Sequence, residues 1–208
     1  MKKLFFVMTI VALTATVAQA QKYYAGGIMG FDIDGSSSSG NKGPTNFSLE
    51  MQPKVGYYWT PKISFGLSFT LGMDISSSRS GSETLQNLAF NWGFAPFGRY
   101  TLLEVGRFTV YGEGSIGVFG SLSSSKYGSS TNKGPSTFGF GLDAMPVLSF
   151  RLTDKVDLET TSNIARFGFS TQTQTSGGNK HSTTHFGFGV DSEDFFSTPF
   201  KIGLIYKF

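Results

Sequence analysis

The sequence predicts an all-β fold, a closed antiparallel up-and-down transmembrane β-barrel of eight strands. Three observations predict it: large apolar residues alternate with small or polar ones along most of the chain, connections alternate between short and long, and one face of each segment is much bulkier than the other. Successive side chains of a strand point to opposite faces, so a period of two indicates strands with one apolar and one polar face.

The composition narrows the class of protein further. The 208 residues suit one domain, with 27 Gly, 22 Phe, only 15% charged residues and no Cys. The absence of Cys excludes disulfides, Cys-based metal sites and a lipid-anchored lipoprotein. The net charge of +3 includes Lys2 and Lys3, and no basic patch points to nucleic acid. We therefore expect no cofactor and no nucleic-acid partner.

Residues 1–20 have the organisation of a secretory signal peptide. Lys2 and Lys3 provide the positive start, an apolar run extends from Leu4 to about Ala15, and Ala18-Gln19-Ala20 forms a small-x-small cleavage site. The run is short for a transmembrane anchor, and polar residues follow it. We expect export through the Sec pathway and a mature barrel domain over residues 21–208.

Two segments show the alternation most clearly. In 46–59, Phe47, Leu49 and Met51 alternate with Ser48, Glu50 and other small or polar residues, and 62–75 repeats the pattern. Eight such segments are predicted: 23–34, 46–59, 62–75, 87–101, 107–120, 137–152, 155–170 and 184–208.

The seventh and eighth segments are irregular. In the seventh, Val156 and Leu158 follow one phase and Phe167 and Phe169 the other, so we expect a bulge near Ser162 to Arg166. The eighth is longer than the roughly 9–11 residues that cross a bilayer. We expect a break at Asp191 to Pro199 that preserves the apolar face.

Short and long connections alternate strictly between these segments. Thr60-Pro61, roughly Thr101 to Gly106, and Thr153-Asp154 are short. The long connections, rich in Ser, Gly, Thr and Asn, are 35–45, 76–86, 121–136 and 171–183. Short turns at one end and long loops at the other are typical of outer-membrane barrels, with the turns in the periplasm and the loops outside.

Residue size indicates which face points outward. Eight strands enclose just enough room for their own side chains, so the small Gly, Ser and Thr face fits inside and the Phe, Leu and Ile face fits lipid. A soluble lipocalin-like barrel is the alternative. It would leave some thirty large apolar residues in water, each forgoing about 1.5–3 kcal/mol of burial. Aromatic residues near the short turns predict an interfacial girdle: Tyr57, Tyr58, Trp59, Phe97, Tyr100, Tyr206 and Phe208.

The C-terminus carries a recognisable motif. Phe200-x-Ile202-x-Leu204-x-Tyr206-x-Phe208 resembles the C-terminal signature of outer-membrane barrels. With the signal peptide and loop pattern, the mature chain resembles the OmpA/OmpX-like small barrels of the outer membrane protein beta-barrel domain group. The resemblance implies recognition by the barrel-assembly machinery and periplasmic chaperones, and a location among outer-membrane lipid and lipopolysaccharide.

Charged residues on the polar face form a predicted lumen network. Opposite charges in a narrow, poorly hydrated lumen must pair, because an isolated buried charge is costly. We interpret these residues as structural, with a small gated conduit as the functional alternative. The predicted members are Glu50, Lys54, Arg99, Glu113, Asp143, Arg151, Asp157 and Glu159.

The two histidines, His181 and His185, are the remaining candidates for chemistry. With Ser182, Thr183, Asp191 and Glu193 nearby, a hydrolase or a metal site at the barrel mouth is conceivable. Ser182 directly follows His181, however, so the two face opposite ways in an extended segment. We therefore interpret both as solvated loop residues and expect no enzyme activity and no metal site.

Three functions stay open at this point. The first is a structural or surface-interaction barrel, whose surface partner the sequence does not identify. The second is a narrow pore or transporter for small solutes. The third is a lipid-modifying enzyme at the barrel mouth.

Overall fold

The computed structural model describes residues 22–38, 41–80, 83–127, 130–161, 166–189 and 201–208. The predicted signal peptide lies outside them. The described residues form ten β-strands. They are β1 (Tyr23–Ser38), β2 (Asn41–Thr60), β3 (Ile63–Ser80), β4 (Glu83–Val105), β5 (Phe108–Tyr127), β6 (Ser130–Arg151), β7 (Val156–Thr161), β8 (Arg166–Ser176), β9 (Asn179–Gly189) and β10 (Lys201–Lys207). No helix in the described ranges is long and apolar enough to cross a membrane.

The strands form an antiparallel ring. Strands β1 to β6 pair in chain order, β7 pairs with β6 and β10, and β10 closes the ring on β1. Farther along the barrel axis, β8 takes the place of β7 beside β6, and β9 takes the place of β10 beside β8. Strands β7 and β8 therefore share the seventh position of the ring, and β10 and β9 share the eighth. The ring thus has eight strand positions, as predicted.

The seventh position changes register partway along. Val147 and Ala144 are three positions apart on β6, but their partners Thr161 and Phe167 are six positions apart. An odd excess of three residues exchanges the two faces of the strand. This accounts for the opposite phases of Val156 and Phe167. The predicted bulge itself lies largely at 162–165, and the predicted break of the last segment at 191–199, both outside the described residues.

The segments predicted as long loops extend the strand pairs instead. Residues Ser38 and Asn41, Ser80 and Glu83, Tyr127 and Ser130, and Ser176 and Asn179 are the last pairs of four long hairpins. This corrects the loops expected at 35–45, 76–86, 121–136 and 171–183. A Ser- and Thr-rich composition suggested loops, whereas strand pairing satisfies the backbone hydrogen bonds of these residues. We call this end of the ring the hairpin end.

The opposite end, the turn end, has the short connections that the sequence predicts. At the first turn, Oγ1 of Thr60 accepts hydrogen bonds from the backbone N–H groups of Lys62 and Ile63. Oγ1 of Thr153 does the same for Lys155 and Val156. Such side-chain bonds replace the ladder partners that the backbone lacks in a turn.

The exposure of β3 shows which face is outside. Phe65, Leu67 and Phe69 are 48%, 39% and 46% exposed, whereas Ser64 and Ser68 are 2% and 3% exposed. The same alternation leaves large apolar side chains exposed on all eight strand positions. The bulky face therefore points away from the barrel axis, as the residue sizes predict.

Candidate functional site in the barrel lumen

Four buried charged side chains meet inside the ring near the turn end. Lys54 Nζ donates hydrogen bonds to Oε1 and Oε2 of Glu113 at 2.6 and 2.9 Å. Arg99 Nε donates to Glu113 Oε2 at 2.7 Å, and its two terminal nitrogens donate to the Glu159 carboxylate at 2.7 and 2.9 Å. These side chains are at most 5% exposed. We call Lys54, Arg99, Glu113 and Glu159 the lumen network.

The network comes from four different strands. Arg99 on β4 lies opposite Glu113 on the neighbouring β5. Lys54 on β2 is three strand positions from Glu113, and Glu159 on β7 is three positions from Arg99. Its two cations and two anions balance, and each cation contacts a carboxylate. Arg99 binds Glu159 through two parallel hydrogen bonds, and Glu113 accepts hydrogen bonds from both cations. In this geometry the attraction between buried charges can offset the cost of their desolvation.

Aromatic rings surround the Arg99 guanidinium. Its central carbon lies 5.6, 5.3 and 5.5 Å from the ring centroids of Tyr24, Phe97 and Tyr111, within the range of cation–π contacts. Tyr24 and Phe97 also pack with Ile205 in a small buried apolar cluster. The Arg99 guanidinium is therefore enclosed by aromatic side chains as well as by the two carboxylates.

Two aromatic residues predicted for the interfacial girdle belong to this inner set instead. Phe97 is 4% exposed, and Tyr58 packs against the buried cluster. Both have the parity of inward residues on their strands, because Phe97 shares a face with Arg99 and Tyr58 with Lys54. Proximity to a turn suggested the girdle, but alternation decides the face.

The other predicted lumen residues lie apart from the network. Glu50 accepts a 2.7 Å hydrogen bond from Lys201, and Arg151 pairs with Glu104 at 3.0 Å with both side chains exposed. Asp157 is buried and bonds Lys207 at 2.6 Å through Oδ2, while its Oδ1 has no hydrogen-bond partner among the described residues.

Sequence reasoning missed the lysine partners of these acids. Lys201 and Lys207 have odd numbers, whereas the outward residues Ile202, Leu204 and Tyr206 are even and 54%, 54% and 41% exposed. The alternation of the last strand therefore contained the signal that both lysines face inward. Phe200, the first residue of the predicted assembly signal, lies outside the described residues, and Phe208 packs edge-on against Tyr206.

Cavities lie on both sides of the lumen network. The hairpin-end cavity has a volume of about 940 Å³, and Glu113 and Asp143 are among the residues that line it. The turn-end cavity measures about 400 Å³ and is lined by Tyr58, Tyr111 and Arg151 among others. Glu113 faces the first cavity, and Tyr111, which contacts Arg99, faces the second. The network and its aromatic neighbours therefore separate the two spaces.

The histidines lie on β9 in a hairpin rather than in an irregular loop. His181 is opposite Gln174 and His185 opposite Ser170, and His185 lines the hairpin-end cavity. The Ser182 hydroxyl forms a 3.0 Å hydrogen bond with the Thr173 hydroxyl, on the face opposite the histidines. Asp191 and Glu193 lie outside the described residues. Within the described ranges, no three acidic or histidine side chains converge to hold a metal ion.

Comparison with known proteins yields structural similarity without sequence relatives. No family model and no curated protein matches the sequence. The matched structures include small outer-membrane β-barrel proteins. Ail, the attachment invasion locus protein of Yersinia pestis, is 12% identical with a TM-score of 0.46, and the match covers 91% of this chain and 100% of Ail. OprG of Pseudomonas aeruginosa is 14% identical with a TM-score of 0.43, at 91% and 99% coverage. The strand pairings of this chain define its barrel independently of these similarities.

Proposed function

We propose that this chain is an outer-membrane β-barrel with a structural or surface-interaction role, whose lumen is closed by the lumen network. The observation that carries the proposal is that large apolar side chains are exposed whereas charged side chains are buried. Phe31, Ile33 and Phe186 are 68%, 64% and 71% exposed, whereas Lys54 and Glu159 are each 1% exposed. In water, each such apolar side chain forgoes about 1.5–3 kcal/mol of burial, whereas a hydrocarbon surrounding favours this arrangement.

Ring closure supports a membrane setting independently of side-chain chemistry. In hydrocarbon each backbone N–H and C=O must be paired within the protein. Among the described residues, β10 pairs with β1 over residues 24–29 and closes the ring near the turn end. The apolar belt extends down to the short turns, where Trp59 and Tyr100 are 67% and 50% exposed. Amphipathic rings at this level suit the border between hydrocarbon and headgroups, and the turn end would then face the periplasm.

Biogenesis follows from the two ends of the sequence. In this proposal residues 1–20 direct export and are removed, and the C-terminal strand is recognised by the assembly machinery. The alternation of Ile202, Leu204 and Tyr206 on the lipid-facing side is compatible with that recognition. Lipopolysaccharide and phospholipid are then the surroundings of the belt.

Fractionation combined with gel migration tests this function. The protein should be recovered in the outer-membrane fraction, and it should migrate faster without boiling than after boiling, because a closed barrel resists unfolding in detergent. Recovery as a detergent-free soluble protein that retains its β-sheet spectrum would contradict the membrane assignment.

A narrow pore is the second candidate, and the cavities on both sides of the lumen network favour it. Only this network and its aromatic neighbours would need to move to connect the two spaces. Single-channel recording in planar bilayers separates the candidates. A closed structural barrel gives no steady ohmic openings, whereas a pore gives openings whose frequency changes in the variant Lys54→Gln.

A further inference from the structure

The hairpin-end cavity is the part of the lumen that the network leaves open, and neither a structural role nor a pore assigns a ligand to it. We propose that this cavity binds a neutral polyhydroxyl ligand, a saccharide. The proposal rests on the proposed function only for the side of the membrane from which the ligand enters. The hairpin-end cavity has a volume of about 940 Å³, which lies within the range of about 300–1,000 Å³ that is usual for ligand sites.

Part of the lining consists of inward residues with hydrogen-bonding side chains. Six inward residues from five strands carry hydroxyl or amide groups that form no side-chain hydrogen bond to another described residue. Each such group can donate and accept, which matches the donor and acceptor pattern of sugar hydroxyls. The six are Gln52, Thr70, Ser115, Ser121, Thr137 and Gln172.

The charges of the lining favour a neutral ligand. Among the residues whose side chains the structure describes, the charged groups of the lining are the carboxylates of Glu113 and Asp143, and these disfavour an anionic ligand. Glu113 is held by Lys54 and Arg99. Asp143 has an interaction of its own within the protein, and His185 is the remaining ionisable group of the described lining.

The aromatic residues of the described lining are Trp92, Phe94, Phe119 and Phe169, and among them Phe119 has the inward parity of its strand. Phe119 faces inward from β5, and its ring occupies the space that a side chain at Gly139 on β6 would need. The ring is thereby held against the wall of the cavity. Small-molecule sites are usually lined mainly by apolar and aromatic side chains with a few polar groups. An inward ring among so many hydroxyl and amide groups departs from that pattern and suits a ligand with C–H faces and many hydroxyls.

Binding is measured by calorimetry on the complete mature barrel in LDAO micelles, a detergent without a sugar headgroup. The probes are maltotriose, diacetylchitobiose, the neutral hexose part of the lipopolysaccharide core oligosaccharide, and spermine as a cationic comparison. We expect saturable binding of at least one saccharide. Binding of the neutral hexose part of the core alone would identify a lipid-borne source, and binding of the other saccharides a free or foreign glycan. Spermine should not compete.

Matched variants locate the binding in the cavity. Ser115→Phe fills the lumen side of β5 and should abolish binding, whereas Ile116→Phe places the same ring on the outward side and should not. Phe119→Ala should weaken binding about three- to tenfold, the worth of one aromatic contact. Heat-modifiable migration checks that each variant is folded.

Three results would overturn the proposal. They are no saccharide binding up to about 10 mM, tenfold above a Kd of about 1 mM, saturation by spermine alone, and binding that survives Ser115→Phe in a folded barrel. All three results are obtained in micelles with folded protein. They are therefore distinct from the absence of the protein from the outer-membrane fraction, which would refute the proposed function instead.

Discussion

Replacement of Arg99 by Met is the most informative perturbation of the lumen network. Arg99 donates one hydrogen bond to Glu113 and two to Glu159, and all three side chains are at most 5% exposed. In Arg99→Met, Glu113 keeps Lys54, but Glu159 loses both of the hydrogen bonds that the structure assigns to it. Removal of one partner of a buried ion pair costs about 3–5 kcal/mol, because the other charge remains buried.

The double variant Arg99→Met/Glu159→Gln separates a lost attraction from an uncompensated charge. It leaves Lys54 and Glu113 as a balanced pair and removes the isolated anion. Replacement of a whole buried ion pair by neutral groups is often close to neutral in stability. We therefore expect the double variant to be more stable than Arg99→Met, with a free energy of unfolding within about 2 kcal/mol of the parent.

Urea titration of the refolded protein in lipid vesicles, followed by tryptophan fluorescence, provides the free energy of unfolding. Arg151→Met is the matched control, because the Arg151–Glu104 pair is 41% and 55% exposed and such pairs contribute about 0–1 kcal/mol. If Arg99→Met costs no more than Arg151→Met, or if the second substitution adds a further loss, the network does not stabilise the barrel as described.

Three further predictions concern the wall of the barrel. Phe69→Arg places a charge on the lipid-facing side and should cost about 2–4 kcal/mol in vesicles, whereas Thr70→Arg faces the hairpin-end cavity and should cost less; equal losses would argue against a lipid-facing belt. Gly203→Val should abolish the fast-migrating band on unboiled gels, because its side chain would collide with the β1 backbone at the closure of the ring, whereas Gly35→Val has open space around it and should retain the band. Phe208→Ala should lower the amount of protein inserted in cells while urea unfolding of refolded protein changes by less than about 1 kcal/mol, as is usual for a site away from the core; normal insertion would refute its role in assembly.

Alternation along the chain was sufficient to predict the barrel and the direction of its faces. On β3, residues 63 to 75 keep one phase, and the exposure of Phe65 and Leu67 follows it. The seventh position was also foreseeable, since Val156 and Phe167 occupy opposite phases and an odd change of register reconciles them. These features depend only on neighbours within one strand, which a sequence displays directly.

The partners within the lumen were beyond sequence reasoning. Lys54 and Glu113 meet across three strand positions, and their contact depends on the register of each strand between them. The sequence placed both on the inward face but gave no means to distinguish this pair from Lys54 with Glu159. The buried position of Phe97 follows from parity, which the proximity of a turn obscured.

The hairpin end shows a different limit. Ser-rich segments such as 76–86 carry no apolar alternation. Without that alternation, composition favoured loops, although backbone pairing continues to Ser80 and Glu83. The fold therefore extends as paired strands in a region where side-chain patterns no longer report it.

Spin labelling along β3 tests most directly whether the apolar face contacts lipid. The chain has no native Cys, so single Cys residues introduced at positions 64 to 71 each carry one label. In bilayers, labels at Phe65, Leu67 and Phe69 should be accessible to oxygen, which concentrates in hydrocarbon, and labels at Ser64 and Ser68 should not. The account would be contradicted if the labels at Ser64 and Ser68 were the ones accessible to oxygen. It would also be contradicted if a water-soluble nickel chelate reached the labels at Phe65, Leu67 and Phe69 as readily as oxygen does.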